Sequence, residues 1–257
     1  MLPIFLLLLV SPFAPHVMSL TTDNYSDFLF LGDSLLELWL CERARDSAEA
    51  ILRTDCLWRQ EHQMEISDAE AAGDFSSSSV SLRSSLFFQA FPNALNVGRS
   101  GWRVEEWSRA IRYKDRVLSK AASIGRHKYI FVEIGANNIH DTEPPALVGL
   151  IAELVGLLHQ LFPKCKILLL SVLPRPIGRH VLADRIEETN KLMYERFTAI
   201  RPAGEASYVL YFDINQRFYL GREVDRRAFH HDKLHLNRHG YTIFEEALKA
   251  IAKDALP

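Results

Sequence analysis

The chain has 257 residues, of which 48% are hydrophobic and 24% charged, a composition typical of a soluble globular protein that excludes a disordered, collagen-like or coiled-coil chain. Its 30 basic and 32 acidic residues leave a net charge of −2, so charge gives no basis for binding nucleic acid or an anionic membrane. The three cysteines, Cys41, Cys56 and Cys165, are too few for a disulfide scaffold and lack the paired spacing of a zinc site. Whether Cys41 pairs with Cys56 stays open at this point.

The first 19 residues contain no charged side chain and include an apolar run from Leu2 to Val10, closely followed by Pro12. The run is too short to span a bilayer. An apolar stretch, then prolines, then the small residue Ser19 predicts a secretory signal that is cleaved near Ser19. We therefore expect a secreted or secretory-pathway protein without a transmembrane span in its mature form. The alternative is a cytoplasmic protein whose apolar N-terminal arm packs on the domain.

Beyond this leader, five short apolar runs alternate with longer amphipathic stretches. The predicted strands are Phe28–Leu31, Ala94–Val97, Tyr129–Ile134, Ile167–Val172 and Tyr208–Ile214. The predicted helices are Leu35–Arg45, Val104–Lys120, Pro145–Phe162, Ala183–Ile200 and Tyr241–Ala255. Such alternation is typical of βαβ units. We expect residues 20–257 to form a single α/β domain, a three-layer α/β/α sandwich around a five-stranded parallel sheet with flavodoxin-like strand order.

One segment, residues 46–92, interrupts this alternation. It carries mixed charges, an acidic, alanine-rich stretch at 64–74 and consecutive serines at 76–79, and it contains no clear strand. We interpret the segment as an insertion into the domain that lies beside the mouth of the site.

The first predicted strand leads directly into Gly32, Asp33 and Ser34, and a predicted helix follows. The hydroxyl of Ser34 is therefore expected at the carboxyl end of a strand and the amino end of a helix, where backbone N–H groups and the helix dipole favour negative charge. Taken alone, the same serine is explained at least as well by an ordinary helix N-cap.

Two further loops carry residues suited to binding an anion. The segment Asn96–Gly101 (NVGRSG) follows the second predicted strand, and Gly101 permits close approach of a backbone N–H to a ligand. Asn137 and Asn138 follow the third strand, where a side-chain amide can donate to an oxyanion. Each loop by itself is equally consistent with turn chemistry.

A fourth loop lies between the fifth strand and the last helix, and in it Asp232 precedes His235 by three positions. A carboxylate at this spacing can orient an imidazole so that its other nitrogen accepts a proton from a serine. The alternative is a metal site built from the histidine-rich surroundings. Its candidate ligands are His230, His231, Asp232, His235 and His239.

All four loops follow apolar strands, and open α/β sheets bind ligands at the carboxyl ends of their strands. In order and placement, the segments GDSLLELW, NVGRSG, GANN and DKLHLN resemble the four blocks of the SGNH hydrolase superfamily, the GDSL esterases and lipases. The resemblance runs from about Phe28 to the C-terminus, apart from the insertion. The segments GANN and LLLSVLPRP are most similar to the branch that contains the platelet-activating-factor acetylhydrolase catalytic subunits.

The resemblance implies a role for each matching residue. Ser34 would be the nucleophile, His235 the base and Asp232 its orienting partner. The oxyanion hole would consist of the N–H groups of Ser34 and Gly101 and the side chain of Asn137. These roles imply a serine esterase that hydrolyses small acyl esters, acetyl esters above all, without a cofactor or a metal.

The implied substrate is an ester of a small molecule, a lipid or a carbohydrate, and the sequence leaves both its alcohol and the oligomeric state open. The alternatives are an O-acyltransferase that uses the same residues and a catalytically silent binding protein of the same fold. Asn138 stands where many family members carry aspartate. Trp39, Trp102 and Trp107 lie near two of the blocks, and we expect at least two of them to pack in the core rather than line a lipid or sugar subsite.

Overall fold

The structure is a computed structural model that describes residues 27–36, 87, 90–91, 94–177, 180–198 and 207–255. The predicted leader, the Cys41–Cys56 pair and nearly all of the segment 46–92 lie outside these residues, as does Trp39. The described residues include Ser34, Gly101, Asn137, Asp232 and His235, which carry the predicted chemistry.

Five parallel strands form the central sheet. They are β1 Phe28–Gly32, β2 Leu95–Asn96, β3 Tyr129–Glu133, β4 Lys166–Leu170 and β5 Val209–Phe212. Their order in the sheet is β2-β1-β3-β4-β5, which confirms the predicted flavodoxin-like arrangement. In this order the winding direction reverses between β1 and β3, so a ligand crevice is expected outside the carboxyl ends of these two strands.

Within the described residues, five helices of nine or more residues surround the sheet. They are α1 Val104–Arg112, α2 Arg116–Ile124, α3 Pro144–Leu161, α4 Val181–Thr198 and α5 Arg238–Ala255. The prediction of one helix over Val104–Lys120 is wrong. Lys114 adopts a positive φ of 56°, and Asp115 then starts α2 by accepting hydrogen bonds from two backbone N–H groups of that helix at 3.0 and 3.1 Å. An aspartate in the N-cap position therefore divides a stretch whose apolar spacing is continuous.

The strand side chains alternate between two apolar layers, as a sheet covered on both faces requires. Leu29 and Ile130 belong to the layer that packs against α1 to α4, whereas Phe28 and Phe131 belong to the layer under α5. By length and composition α3 is apolar enough to cross a membrane. Its residue Ile151, however, is fully buried in the first layer, as expected for a core helix.

The C-terminal end of the segment 46–92 belongs to the core. Phe87 and Phe91 are fully buried, and their ring centroids lie 5.1 and 5.0 Å from that of Phe30 in edge contacts. An aromatic cluster therefore packs on β1 just before β2 begins.

A short antiparallel hairpin, β6 Tyr219–Leu220 and β7 Glu223–Val224, follows β5. Turns of 3₁₀ helix at Asn215–Phe218 and Arg226–Ala228 flank it. The sequence did not predict this hairpin, because two-residue strands show no periodicity.

The start of α5 lies so close to the second 3₁₀ turn that a Cβ on Gly240 would be 2.1 Å from the carbonyl oxygen of Ala228. We expect Gly240→Ala to lower the free energy of unfolding by about 1–3 kcal/mol, the range for overpacking. Gly149 in α3 is the matched control, because a Cβ there meets nothing within 4 Å. Gly149→Ala should raise the unfolding free energy by about 0.5–1 kcal/mol through helix propensity. Equal urea midpoints for the two variants would contradict this account.

Candidate active site

Ser34 lies where β1 ends and a helical turn at residues 34–36 begins. The carboxylate of Asp33 accepts a hydrogen bond from the backbone N–H of Leu35 at 3.1 Å, which fixes the turn. Ser34 is 4% exposed and directly follows β1, at the sheet edge where the strand order predicts a ligand crevice.

The structure brings Ser34, His235 and Asp232 into one hydrogen-bonded chain. His235 Nε2 lies 3.1 Å from Ser34 Oγ, and His235 Nδ1 lies 2.7 Å from Asp232 Oδ2. Because a carboxylate only accepts, Nδ1 carries the hydrogen and Nε2 is free to accept the proton of the serine hydroxyl. The arrangement can generate a serine nucleophile through a general base.

Asp232 is held in its ionised form. Burial favours the neutral acid, but hydrogen bonds from the Leu234 N–H, the His235 ring and the His235 N–H outweigh it and lower the pKa of Asp232 to about 2. The carboxylate is thus charged over the whole neutral range, and it can stabilise a protonated imidazole.

The loop that presents His235 is fixed at both ends. An antiparallel bridge joins Phe229 to Leu236, and the side chain of Asn237 donates to the Arg227 and Phe229 carbonyls at 2.8 and 3.0 Å. The same side chain caps the start of α5, and within that helix the Tyr241 hydroxyl donates to the Leu35 carbonyl at 2.8 Å. The histidine loop and the serine turn are therefore connected by a buried hydrogen bond.

Gly101 lies in a tight turn that is anchored to the end of β1. The turn closes with a 3.1 Å hydrogen bond from the Trp102 N–H to the Arg99 carbonyl, and Gly101 has a φ of 77°, which L side chains rarely adopt. The Arg99 N–H donates to the Gly32 carbonyl at 3.0 Å. This places the Gly101 turn beside the residue that precedes Asp33 and Ser34.

Asn137 and Asn138 have different environments. Asn137 is half-buried and donates from Nδ2 to the Trp102 carbonyl at 3.0 Å, which ties the loop after β3 to the Gly101 turn. Asn138 is fully buried, accepts from the Val104 N–H at 3.1 Å and donates to Glu105 at 2.8 Å. Asn138 therefore fixes the first turn of α1, and only Asn137 is left partly open to a ligand.

The two described tryptophans pack against one another rather than line an open subsite. Trp107 is fully buried and donates from Nε1 to the Gly32 carbonyl at 3.1 Å, and the Trp102 ring lies 4.7 Å away in edge contact. The Arg99 guanidinium covers the Trp102 ring at 4.3 Å. These contacts hold the Gly101 turn in place.

The histidine-rich stretch does not converge on one point. His235 faces Ser34, whereas His239 Nε2 lies 3.4 Å from Asp225 Oδ2. Within the part of the chain that the structure describes, no three side chains of the metal-ligating types lie together.

A pair of buried carboxyl groups next to the Ser34 turn was not predicted from the sequence. Asp33 and Glu133 are both fully buried. Burial and the neighbouring charge of Asp33 raise the pKa of Glu133 well above its usual value. Burial raises the pKa of Asp33 to about 6, although the Leu35 N–H and the carboxyl of Glu133 favour its ionised form. The signal was present in the sequence, because an acidic residue within the apolar run of β3 is rarely buried without a partner.

Arg175, in the loop after β4, was likewise not predicted from the sequence as a site residue. Its guanidinium donates to the Ala136 carbonyl at 3.0 Å and lies 3.0 Å from the His140 ring. Burial lowers its pKa, whereas the charges of Asp33 and Asp232 raise it. Arg175 is therefore a cation close to both the serine turn and the histidine loop.

Comparison with known proteins agrees with the observed fold. The sequence model of the GDSL-like lipase/acylhydrolase family matches residues 30–243, most of the chain. A GDSL-like lipase from Bacteroides thetaiotaomicron has a similar structure, with a TM-score of 0.56 at 16% identity over 91% of each chain. A Streptococcus pneumonia protein, solved as a candidate platelet activating factor, gives the same score and identity over 90% of each chain.

An acetyl esterase, solved as a serine-to-alanine mutant with an acetate ion, has a TM-score of 0.51 at 16% identity, covering 89% of this chain and 99% of its own. Identities this low establish a shared fold, and no curated protein sequence matches the chain.

The buried carboxyl pair makes stability depend on pH. Because both carboxyls have raised pKa values in the native state, that state binds more protons than the unfolded chain above about pH 4, so the free energy of unfolding falls as pH rises. For Asp33 most of the fall lies below pH 6 and the whole amounts to about 3 kcal/mol, and Glu133 adds a further fall in the same direction.

We expect Glu133→Gln to make this fall smaller, because the contribution of Glu133 is lost while that of Asp33 persists. Urea unfolding between pH 4 and 9 measures the change. Glu188→Gln on the exposed surface of α4 is the control and should retain the wild-type slope. A dependence of the unfolding free energy on pH in Glu133→Gln that equals that of the wild type would contradict the assignment.

Proposed function

The chain belongs to the GDSL-like lipase/acylhydrolase family and is a carboxylic ester hydrolase, and on that premise we propose that it is a serine esterase that transfers the acyl group of a small ester to Ser34 and then to water. The observation that carries the proposal is the chain of hydrogen bonds from Ser34 through His235 to Asp232 at the carboxyl end of β1. Nucleophile, base and orienting carboxylate stand in the order that this chemistry needs.

In the first step His235 Nε2 takes the proton of Ser34 while Oγ forms a bond to the ester carbonyl carbon. The bond between that carbon and the alcohol oxygen then breaks, and the protonated His235 returns its proton to the departing alcohol. In the second step His235 takes a proton from water while the water oxygen forms a bond to the acyl carbon. The bond between that carbon and Oγ then breaks, and His235 returns the proton to Oγ, which releases the acid and regenerates Ser34. The low pKa of Asp232 favours both steps, because its negative charge stabilises the imidazolium each time it forms.

The negative charge on the carbonyl oxygen needs donors on the other side of Ser34. We assign this role to the N–H groups of Ser34 and Gly101 and to Asn137 Nδ2. An amide nitrogen carries two hydrogens, so Asn137 can bond to the Trp102 carbonyl and still direct its second hydrogen at the oxyanion. The hydrogen bonds between the loops fix these donors before substrate binds, which is the condition for strong stabilisation of the transition state.

A small acyl group, acetyl above all, is the substrate feature we propose. Ser34 is only 4% exposed, and such burial around the nucleophile favours a short acyl chain over a long one. The resemblance to acetylhydrolase subunits and the structural likeness to an acetyl esterase support the same choice.

We expect Ser34→Ala and His235→Ala each to reduce turnover of 4-nitrophenyl acetate by on the order of 10⁶-fold, because nucleophile and base act as a unit. His239→Ala is the matched control. It removes a histidine one helical turn away that contacts Asp225 instead of Ser34, and it should retain the wild-type rate. Activity that survives in Ser34→Ala but disappears with a chelator would instead support the metal site considered above.

We expect kcat/KM to fall along a series of 4-nitrophenyl esters from acetate through butyrate to octanoate, because the buried position of Ser34 restricts the acyl chain. A fluorophosphonate should label the wild type and the surface variant Ser123→Ala but not Ser34→Ala. A maximum at octanoate would refute the preference for acetyl and leave the serine mechanism intact.

A further inference from the structure

A cavity of about 1090 Å³ opens at the carboxyl ends of β4 and β5. One wall is the face of α4 that bears Glu187, Lys191 and Tyr194, and the opposite wall includes Tyr219 and Glu223 of the β6–β7 hairpin. We call this cavity the polar groove. It lies outside the chain of hydrogen bonds through Ser34, and its volume far exceeds what an acetyl group occupies.

Arg175 connects the polar groove to the catalytic residues. Its side chain lines the groove, and its guanidinium donates to the carbonyl of Ala136, the residue before Asn137. The same guanidinium is close enough to Asp33 and Asp232 for their charges to act on it. The end of the groove that Arg175 lines is therefore the end nearer to the catalytic residues.

The formal charges of the described lining residues cancel. The carboxylates are Asp184, Glu187, Asp213 and Glu223, and the cations are Arg175, Lys191, Arg222 and Arg226. Four negative and four positive groups leave no net charge to select an anionic or a cationic ligand. Groups of both signs nevertheless provide hydrogen-bond acceptors and donors along the whole groove.

Tyrosine rings complete the lining. Tyr194 is 59% exposed, so its ring offers a flat surface to a ligand. Burial and the negative charges of Glu187 and Asp213 raise the pKa of the Tyr219 hydroxyl, which therefore stays a hydrogen-bond donor. Carboxylates accept from sugar hydroxyls, guanidinium groups donate to them, and aromatic faces contact the C–H face of a sugar ring. Eleven of the eighteen described lining residues carry charged or amide side chains, so a lipid chain would leave many of these polar groups without a hydrogen bond.

We propose that the polar groove binds the alcohol part of the ester substrate and that this alcohol is a neutral, polyhydroxylated carbohydrate. The inference rests on the proposed function, since it places the acyl group at Ser34 and the sugar beyond Arg175. Hydrolysis would then release acetate and the free carbohydrate hydroxyl.

Binding tests the groove independently of catalysis. The full chain with Ser34→Ala is titrated calorimetrically with neutral xylo-, cello-, manno- and chito-oligosaccharides, with oligogalacturonate as an anionic probe and with lysophosphatidylcholine as a lipid probe. At least one neutral oligosaccharide should bind. Adding Glu187→Gln and Tyr194→Ala together should weaken that binding by about tenfold or more, because a hydrogen bond to a charged group and a stacking surface are lost. Glu188→Gln, on the exposed surface next to Glu187 but outside the groove, should leave binding unchanged.

Hydrolysis then tests whether the groove serves the reaction. With an acetylated form of the oligosaccharide that binds, Glu187→Gln/Tyr194→Ala in the otherwise wild-type chain should raise KM about tenfold, while kcat for 4-nitrophenyl acetate stays at the wild-type value. The inference is overturned if no neutral oligosaccharide binds, if the double variant binds equally well, or if the anionic or lipid probe binds more tightly. Oligosaccharide binding without hydrolysis of either ester would support carbohydrate binding in the groove and would refute the proposed function.

Discussion

The close approach of β1 and β3 at Gly32 is the constraint on which the rest of the site depends. A Cβ at Gly32 would lie 2.2 Å from the Glu133 carbonyl oxygen, so no other residue can end β1 at this point without moving the sheet. The Gly32 carbonyl accepts from the Arg99 N–H at 3.0 Å and from Trp107 Nε1 at 3.1 Å. Gly32 thus ends β1 just before the Ser34 turn, and its carbonyl anchors the turn that carries Gly101.

From this anchor, hydrogen bonds run to the other loops. The bond from Asn137 to the Trp102 carbonyl fixes the loop after β3, and the bond from Tyr241 to the Leu35 carbonyl fixes α5 with its histidine loop. The bond from Tyr241 is buried, where an unpaired polar group is costly, so the loops hold one another in a single arrangement. That rigidity lets donors and base keep their positions while charge moves through the proposed reaction.

The sequence was sufficient for the sheet and for the loops at its carboxyl edge, because apolar runs covered on both faces and glycine-rich strand ends are local signals. It was insufficient where one side chain, rather than a periodic pattern, decides the structure. Asp115 divides one apolar-periodic stretch into α1 and α2 by capping. Glu133 and Arg175 act on the site through contacts with Asp33 and Ala136, which are far away in sequence. No periodicity encodes such contacts.

The charges around Ser34 follow from the same packing. The proposed reaction creates a positive imidazole and a negative oxygen at once, and each needs a different environment. Asp232 supplies ionised charge directly to His235, while burial and the charge of Asp33 raise the pKa of Glu133 and disfavour its ionised form. Arg175, beside Ala136, offsets the charge that Asp33 still carries. A carboxylate thus lies beside His235 and a cation, Arg175, beside the loop that carries Asn137, which suits a positive imidazole at the first place and a negative oxygen at the second.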